Sequence, residues 1–161
     1  MSSDIDFSEW IGKSETEHGM VSAYPANYFT LTLDRDDPLF NDGDPLPPAW
    51  HYFYFHELVA LAATGEDGHR AKGDFMPPLP FPRRMWAGSK MTFASPIHIG
   101  EKVRKVITIA DIAIKEGKSG QMCFVTTTEE VFGEDDRRTT LEERTQVYRE
   151  PADPNAPPPA P

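Results

Sequence analysis

From Met85 onward the chain reads as consecutive strands separated by turn signals. "MWAGSKMTFA" ends at "SPIHIGE", "KVRKVITIADIAI" ends at "KEGKSG", "QMCFVTTTEEVF" ends at "GEDDRR", and "TTLEERTQVYRE" closes the set. Runs of this kind, bounded by Gly, Pro, Asp and Ser clusters, predict an antiparallel meander. The pattern upstream is different. "DIDFSEWIGKSE" places Asp6 three residues before Glu9, with Trp10 and Ile11 behind, which is a capping pattern and predicts a short helix. "SAYPANYFTLTLDRDDP" offers Ser22 as a cap, Pro25 in the first turn, and Tyr24, Tyr28 and Leu31 at helical spacing. Its "FTLTL" also alternates as a strand would, so both readings stand.

Between these halves lies turn-rich text. "DRDDPLFNDGDPLPP" is an acidic loop by composition. "AWHYFYFHE" reads as an aromatic strand, with Trp50, Tyr52 and Tyr54 on one face and His51, Phe53 and Phe55 on the other. "ATGEDGHRAKGD" and "MPPLPFPRR" then form a long irregular connection up to Arg84, and its aromatic content predicts an ordered, functional loop. An early helix followed by a long antiparallel sheet is an α+β arrangement, with the helix packed on one sheet face. Residues 1–150 are expected to form a single domain, and 151–161, "PADPNAPPPAP", a proline-rich linker or tail.

Charge narrows the class of partner. With 26 acidic against 16 basic residues the chain carries a formal charge of -10, which disfavours polyanionic partners, so neither nucleic acid nor a membrane surface is expected. No apolar run approaches the roughly 20 residues that span a bilayer, and a cytoplasmic location is expected. Cys123, in "GQMCFVTT", is the single cysteine, so an intrachain disulfide is excluded and a buried structural role is expected.

Candidate chemistry is sparse. The sequence holds no GxxxxGK, GxGxxG or GxSxG motif, so neither nucleotide chemistry nor α/β-hydrolase chemistry has its usual support. His51, His56 and Glu57 cluster, but not in the order of a zinc-binding HExxH helix, and no metal or cofactor is expected. His51, set among aromatics, is either a hydrogen-bonded core histidine or a general base. Arg83 and Arg84 precede Trp86 and Gly88; guanidinium groups suit phosphate or carboxylate, and glycine permits close approach. Ion pairing with the acidic loop and a core role for Trp86 are the competing readings.

"DPLPPAWHYFYF", "GEDGH", "PLPFPRRMWAGSKMTFASPIHIGEKV" and "VYRE" together resemble the N-terminal half of the 3-hydroxyacyl-thioester dehydratase type 2 family, which includes mesaconyl-C4-CoA hydratase-like proteins within the MaoC-like dehydratase group. The resemblance covers roughly residues 5 to 150. It implies a hot-dog fold, an antiparallel sheet wrapped around a central helix, and membership of a double hot-dog assembly that hydrates enoyl-thioesters or dehydrates 3-hydroxyacyl-thioesters. The family's aspartate and histidine motif belongs to its C-terminal half and has no counterpart here. The resemblance therefore implies a noncatalytic subunit or N-terminal half, with no catalytic residue of its own and a catalytic hot-dog chain as partner. It would complete the fold and shape the tunnel for an acyl group on coenzyme A or acyl carrier protein, with Trp50, His51, Arg83, Arg84, Trp86 and Gly88 as expected substrate-lining residues. Two other readings stand beside it: a homodimeric acyl-thioester binding module, and a stand-alone hot-dog thioesterase using His51 or an acidic residue as base.

Overall fold

The computed structural model describes residues 6–117 and 120–151. Five strands, β1 (Ser14–Met20), β2 (Arg83–Phe93), β3 (Lys102–Gly117), β4 (Gly120–Phe132) and β5 (Arg138–Arg149), form one antiparallel sheet in the order β1-β3-β4-β5-β2. Among the described residues a single α-helix, α1 (Ala23–Thr32), follows β1. The proline-rich tail expected at 151–161 falls almost wholly outside the described residues.

The meander holds for β3, β4 and β5, whose Val, Ile and Thr content suits the pleated sheet. It fails for β2, which pairs with β5 instead of β3 and becomes an edge strand. The other edge, β1, is a strand that the hydrophobic pattern did not announce. In "SETEHGM" the half-buried positions are Glu15, Glu17 and Gly19, so alternation exists in burial but not in apolarity. The capping pattern ahead of it produces only a 3-10 turn at Ser8–Trp10, where Asp6 accepts a hydrogen bond from the Ser8 backbone N–H at 2.8 Å.

Helix α1 settles the ambiguity of "FTLTL" in favour of the helix. Ser22 occupies the N-cap position without a side-chain capping bond. Thr30 and Thr32 donate their hydroxyls to the carbonyls of Ala26 and Tyr28, at 3.0 and 2.8 Å, which is how threonine is accommodated inside a helix. The expected apolar stripe is reversed: Ala26 and Thr30 are the buried pair, while Tyr24, Tyr28 and Leu31 are exposed.

"AWHYFYFHE" is also not a strand. Ala49 takes a left-handed conformation (φ 70°) after two prolines and launches a 3-10 turn at Trp50–Tyr54. Tertiary packing overrides the β propensity of this run: Trp50 lies 5.0, 5.8 and 5.9 Å, centroid to centroid, from Phe29, Phe40 and Phe53. Gly19 lets that turn approach the sheet, because a Cβ there would stand 3.1 Å from the Tyr54 carbonyl oxygen. The connection from 56 to 82 is ordered as expected. Arg70 gathers Glu15, Glu57 and Asp74 around one guanidinium, and Lys72 donates to the Phe81 carbonyl at 2.6 Å.

Two apolar clusters form the core. One holds Phe7, Phe75, Leu79, Phe81, Ile109, Cys123, Val125 and Tyr148; the other holds Val21, Ala26, Leu46, Ile97, Ile99, Val103 and Val131. Cys123 is fully enclosed, and burial pushes its thiol up to about 11, as suits a structural cysteine. Because Ile109 is wholly buried at the centre of the first cluster, Ile109→Ala is expected to cost about 2–5 kcal/mol, read as a lowered urea midpoint with an unchanged m-value.

Candidate functional site

Strand register brings together on the inner face what the sequence holds far apart. Lys105 pairs with Glu17 of β1, Ile107 with Glu129, and Glu129 stands directly opposite Glu142. Arg144, two residues beyond Glu142 on the same face, bridges the two acids. Its Nη1 lies 2.9 Å from Glu129 Oε1, while Nε and Nη2 donate to the two oxygens of Glu142 at 3.0 and 2.9 Å. Lys105 Nζ stands 2.9 Å from Glu17 and 3.9 Å from Glu129, extending the charged belt to the β1 edge. At the opposite edge, Tyr52 donates to Glu142 at 2.6 Å, Ser89 donates to its other oxygen, and Trp86 Nε1 donates to Ser89 at 3.0 Å. This belt separates the two apolar clusters.

The environment drives the two carboxyls apart. Burial pushes Glu129 above its ordinary range, with Arg144 and Lys105 opposing. Burial acts on Glu142 in the same direction, but hydrogen bonds from Arg144, Ser89 and Tyr52 outweigh it and hold the group below its ordinary value. Burial, reinforced by the bond to Glu142, raises Tyr52 to about 12 and keeps it a donor.

Two adjoining hollows open over this belt. One, of about 470 Å³, is lined by Tyr52, Asp67, His69, Arg84, Trp86, Arg144 and Gln146. The other, of about 460 Å³, shares His69, Arg84, Arg144 and Gln146 and continues toward Glu129, Lys105 and Glu17. Together they make one cleft along the inner face of the sheet. Among the described residues, the His69 backbone N–H donates to Asp67 Oδ1 at 3.2 Å, and no group of three or more His, Cys, Asp or Glu is placed to hold a metal ion.

Of the expected lining residues, Arg84 and Trp86 line the cleft. His51 lies elsewhere, in a separate hollow of about 450 Å³ with Pro45, Pro47, Phe93 and Ile97, and is only 4% exposed. Burial depresses its imidazole to about 4, so it stays neutral at ordinary pH. Trp50 belongs to the aromatic cluster beside α1. Arg83 lies at the start of β2, opposite Arg149, with a buried Nη1 that has no partner among the described residues. Gly88 follows the β2 bulge, and nothing in this chain lies within 4 Å of a Cβ placed there, so no neighbour within the chain requires glycine. Glu129, Glu142, Arg144 and Gln146 were missed by the sequence reading. The available signal was the face Cys123, Val125, Thr127, Glu129, Val131, in which one charge interrupts an inward-facing row.

Residues 49–161 match the family of hydroxyacyl-thioester dehydratase type 2. The chain belongs to that family. This dehydratase-family chain is also 36% identical over 159 residues to the mesaconyl-C(4)-CoA hydratase of Chloroflexus aurantiacus, an alignment covering 99% of the chain and 55% of the relative. It thus spans about half the length of that curated relative. Among solved structures it resembles the ChsH1-ChsH2 complex from Mycobacterium tuberculosis (TM-score 0.64, 16% identity, covering 86% of this chain and 89% of that one). It also resembles the HadBC (3R-hydroxyacyl-ACP dehydratase) complex of the same organism, at TM-score 0.58 and 15% identity, covering 91% and 99%. A hot-dog-like protein from Thermanaerovibrio acidaminovorans matches at TM-score 0.50 and 13% identity, covering 90% and 89%. At these identities the likeness concerns the fold, and the α+β hot-dog expectation holds for this dehydratase-family chain.

Two outcomes follow from the belt and the buried histidine of this family member. Arg144→Met leaves two buried acids facing each other and is expected to destabilise the fold by about 3–5 kcal/mol, partly recovered by adding Glu129→Gln; urea titration of the two variants against the unaltered chain checks this. His51 is depressed in the folded state from 6.5 to about 4, so its contribution to stability is complete above pH 6.5 and lost as pH falls toward 4. The loss across that window is expected to be roughly 3 kcal/mol, and His51→Gln should flatten it in denaturation curves taken at stepped pH.

Proposed function

We propose that this chain is the noncatalytic hot-dog half of an enoyl-thioester hydratase or 3-hydroxyacyl-thioester dehydratase, forming a single hot-dog domain over 1–150. The observation that carries this reading is the exposed edge strand β2 beside the cleft. Met85, Trp86 and Phe93 are exposed on it, and Trp86 is 68% accessible although its indole N–H is already bonded within the cleft wall. A long edge with apolar side chains calls for a covering partner, and a second hot-dog sheet aligned along it would close the cleft on its open side.

In this reaction water adds across the C2=C3 bond of the enoyl-thioester: the hydroxyl goes to C3 and a proton goes to C2. An acid-base pair must move those protons while a backbone N–H polarises the thioester carbonyl. The partner supplies that pair. This chain supplies walls: Arg84 and Trp86 on β2, Gln146 and Arg144 on β5, and Tyr52 from the 3-10 turn. The belt holds these walls in place, since Trp86, Ser89, Glu142 and Arg144 form one connected chain of hydrogen bonds. No helix among the described residues is long and apolar enough to cross a membrane, which accords with a proposed cytoplasmic location.

Mixing the chain with a catalytic hot-dog partner that carries the family's histidine and aspartate motif tests the proposal. Formation of a stable complex is expected, with hydration of crotonyl-CoA at least about tenfold faster than by the partner alone and none by this chain alone. A tight complex with no gain in rate would sink the assignment.

A further inference from the structure

The hollow around His51 is a second concavity, apart from the cleft and from the walls assigned to the acyl thioester. Pro45, Pro47, Pro48, Pro96, Phe93 and Ile97 line its roughly 450 Å³, and no charged side chain does. Proline fixes its own φ, so these walls are stiff before any ligand arrives. Two buried polar side chains line the same space. His51 is 4% and Thr140 is 3% exposed, and neither the imidazole nor the hydroxyl has a hydrogen-bond partner among the described residues. The remaining hydroxyl, on Ser95, is satisfied: it donates to the Arg138 carbonyl at 3.3 Å and accepts from Arg137 Nε at 3.1 Å. Buried polar groups are nearly always paired, so two unpaired ones in one hollow call for an explanation.

The chemistry of the hollow narrows what it can hold. The charged groups that act on the imidazole, Glu142, Lys105 and Arg144, belong to the belt and are paired within it. What faces a ligand is a neutral imidazole, which donates at one nitrogen and accepts at the other, and a hydroxyl that does both. An anion finds no cation here, and a wholly apolar ligand leaves both groups unpaired. A single ligand hydroxyl can donate to one and accept from the other. Phe93 offers an aromatic surface, and proline and aromatic rings are complementary apolar surfaces, as in the docking of proline-rich segments on aromatic grooves. Phe93 is also exposed on the edge strand β2, which gives access to the hollow from that edge.

We propose that the His51–Thr140 hollow is a binding site for an uncharged phenolic group, with the ring held between the prolines and Phe93 and the hydroxyl shared by the imidazole and Thr140. Such a group has two sources: a free phenolic compound, or a tyrosine side chain of the chain that covers β2. The site goes beyond the hydratase reading and needs no catalytic partner in order to fill.

Phenol and toluene differ by a hydroxyl for a methyl on the same ring, and benzoate replaces the hydroxyl by a charge. Titrated into the full chain by NMR, phenol should shift the His51 Cε1–H and the Thr140 methyl saturably and leave the Trp86 indole unmoved, with toluene and benzoate each at least about tenfold weaker. Thr140→Val, which keeps the shape, and His51→Leu should each remove the preference for phenol over toluene. N-acetyltyrosinamide binding as tightly as phenol assigns the site to a tyrosine side chain, and phenol binding more tightly assigns it to a free phenolic compound; either result supports the site. Phenol binding no tighter than toluene or benzoate, shifts at Trp86 in place of His51, or no saturable shift with any probe would each overturn it. The comparison of ligands on the unaltered chain stands even where a variant does not fold. Activation of a catalytic partner on crotonyl-CoA judges the hydratase reading separately.

Discussion

Arg144 stands between two glutamates that strand pairing has placed face to face, and the inner face of the sheet depends on that arrangement. Like charges directly opposite each other across a ladder are destabilising, and more so where water is scarce. One guanidinium, bidentate to Glu142 and single-point to Glu129, turns a repulsive pair into a fixed unit. Lys105 and Glu17 extend it to one edge, and Ser89 and Trp86 to the other. The core is consequently divided into two apolar clusters with a polar belt between them.

The belt also explains why a cleft exists on this face. Apolar side chains at those positions would invite the chain to close over them, whereas satisfied ion pairs tolerate an open, partly wet surface. The short helix α1 is anchored by Ala26 and Thr30 beside the second cluster, and the aromatic 3-10 turn contributes Tyr52 to the belt. The long connection, pinned by Arg70, contributes Asp67 and His69 to the rim. Irregular segments occupy much of the inner face, held by specific polar contacts, and this is what leaves room for a ligand in the proposed acyl-thioester site.

Legibility followed the range of the interactions. Strands β3 to β5 were readable because β-branched runs between turn signals are a local pattern. The helix was readable from Ser22 and Pro25, but its buried side was not, because Tyr24, Tyr28 and Leu31 look like a core stripe and point outward. Strand β1 escaped because its inward positions are two glutamates and a glycine, whose burial makes sense only beside Arg70, Lys105 and the Tyr54 carbonyl. The strand expected at 50–55 became a 3-10 turn because two aromatic partners from elsewhere, Phe29 and Phe40, reward that geometry. At the site, "RRMW" announced Arg84 and Trp86 as anion chemistry beside an aromatic, but it did not separate Arg84 from Arg83, which occupies a different face of β2.

By itself the sequence determined the fold class, the strand-rich second half, the family and the presence of a guanidinium beside a tryptophan, since all of these are carried by residue order within short windows. Only the tertiary structure decided that β2 lies next to β5, that Glu129 meets Glu142, and that Arg144 is engaged by both acids while Arg84 pairs with Asp67. The physical reason is that pleat alternation is set by neighbours one and two residues away, whereas strand order and cross-strand register are set by which buried charges find partners. A carboxylate two residues before an arginine looks the same on paper whether it faces solvent or, like Glu142, is 1% exposed in the middle of a sheet.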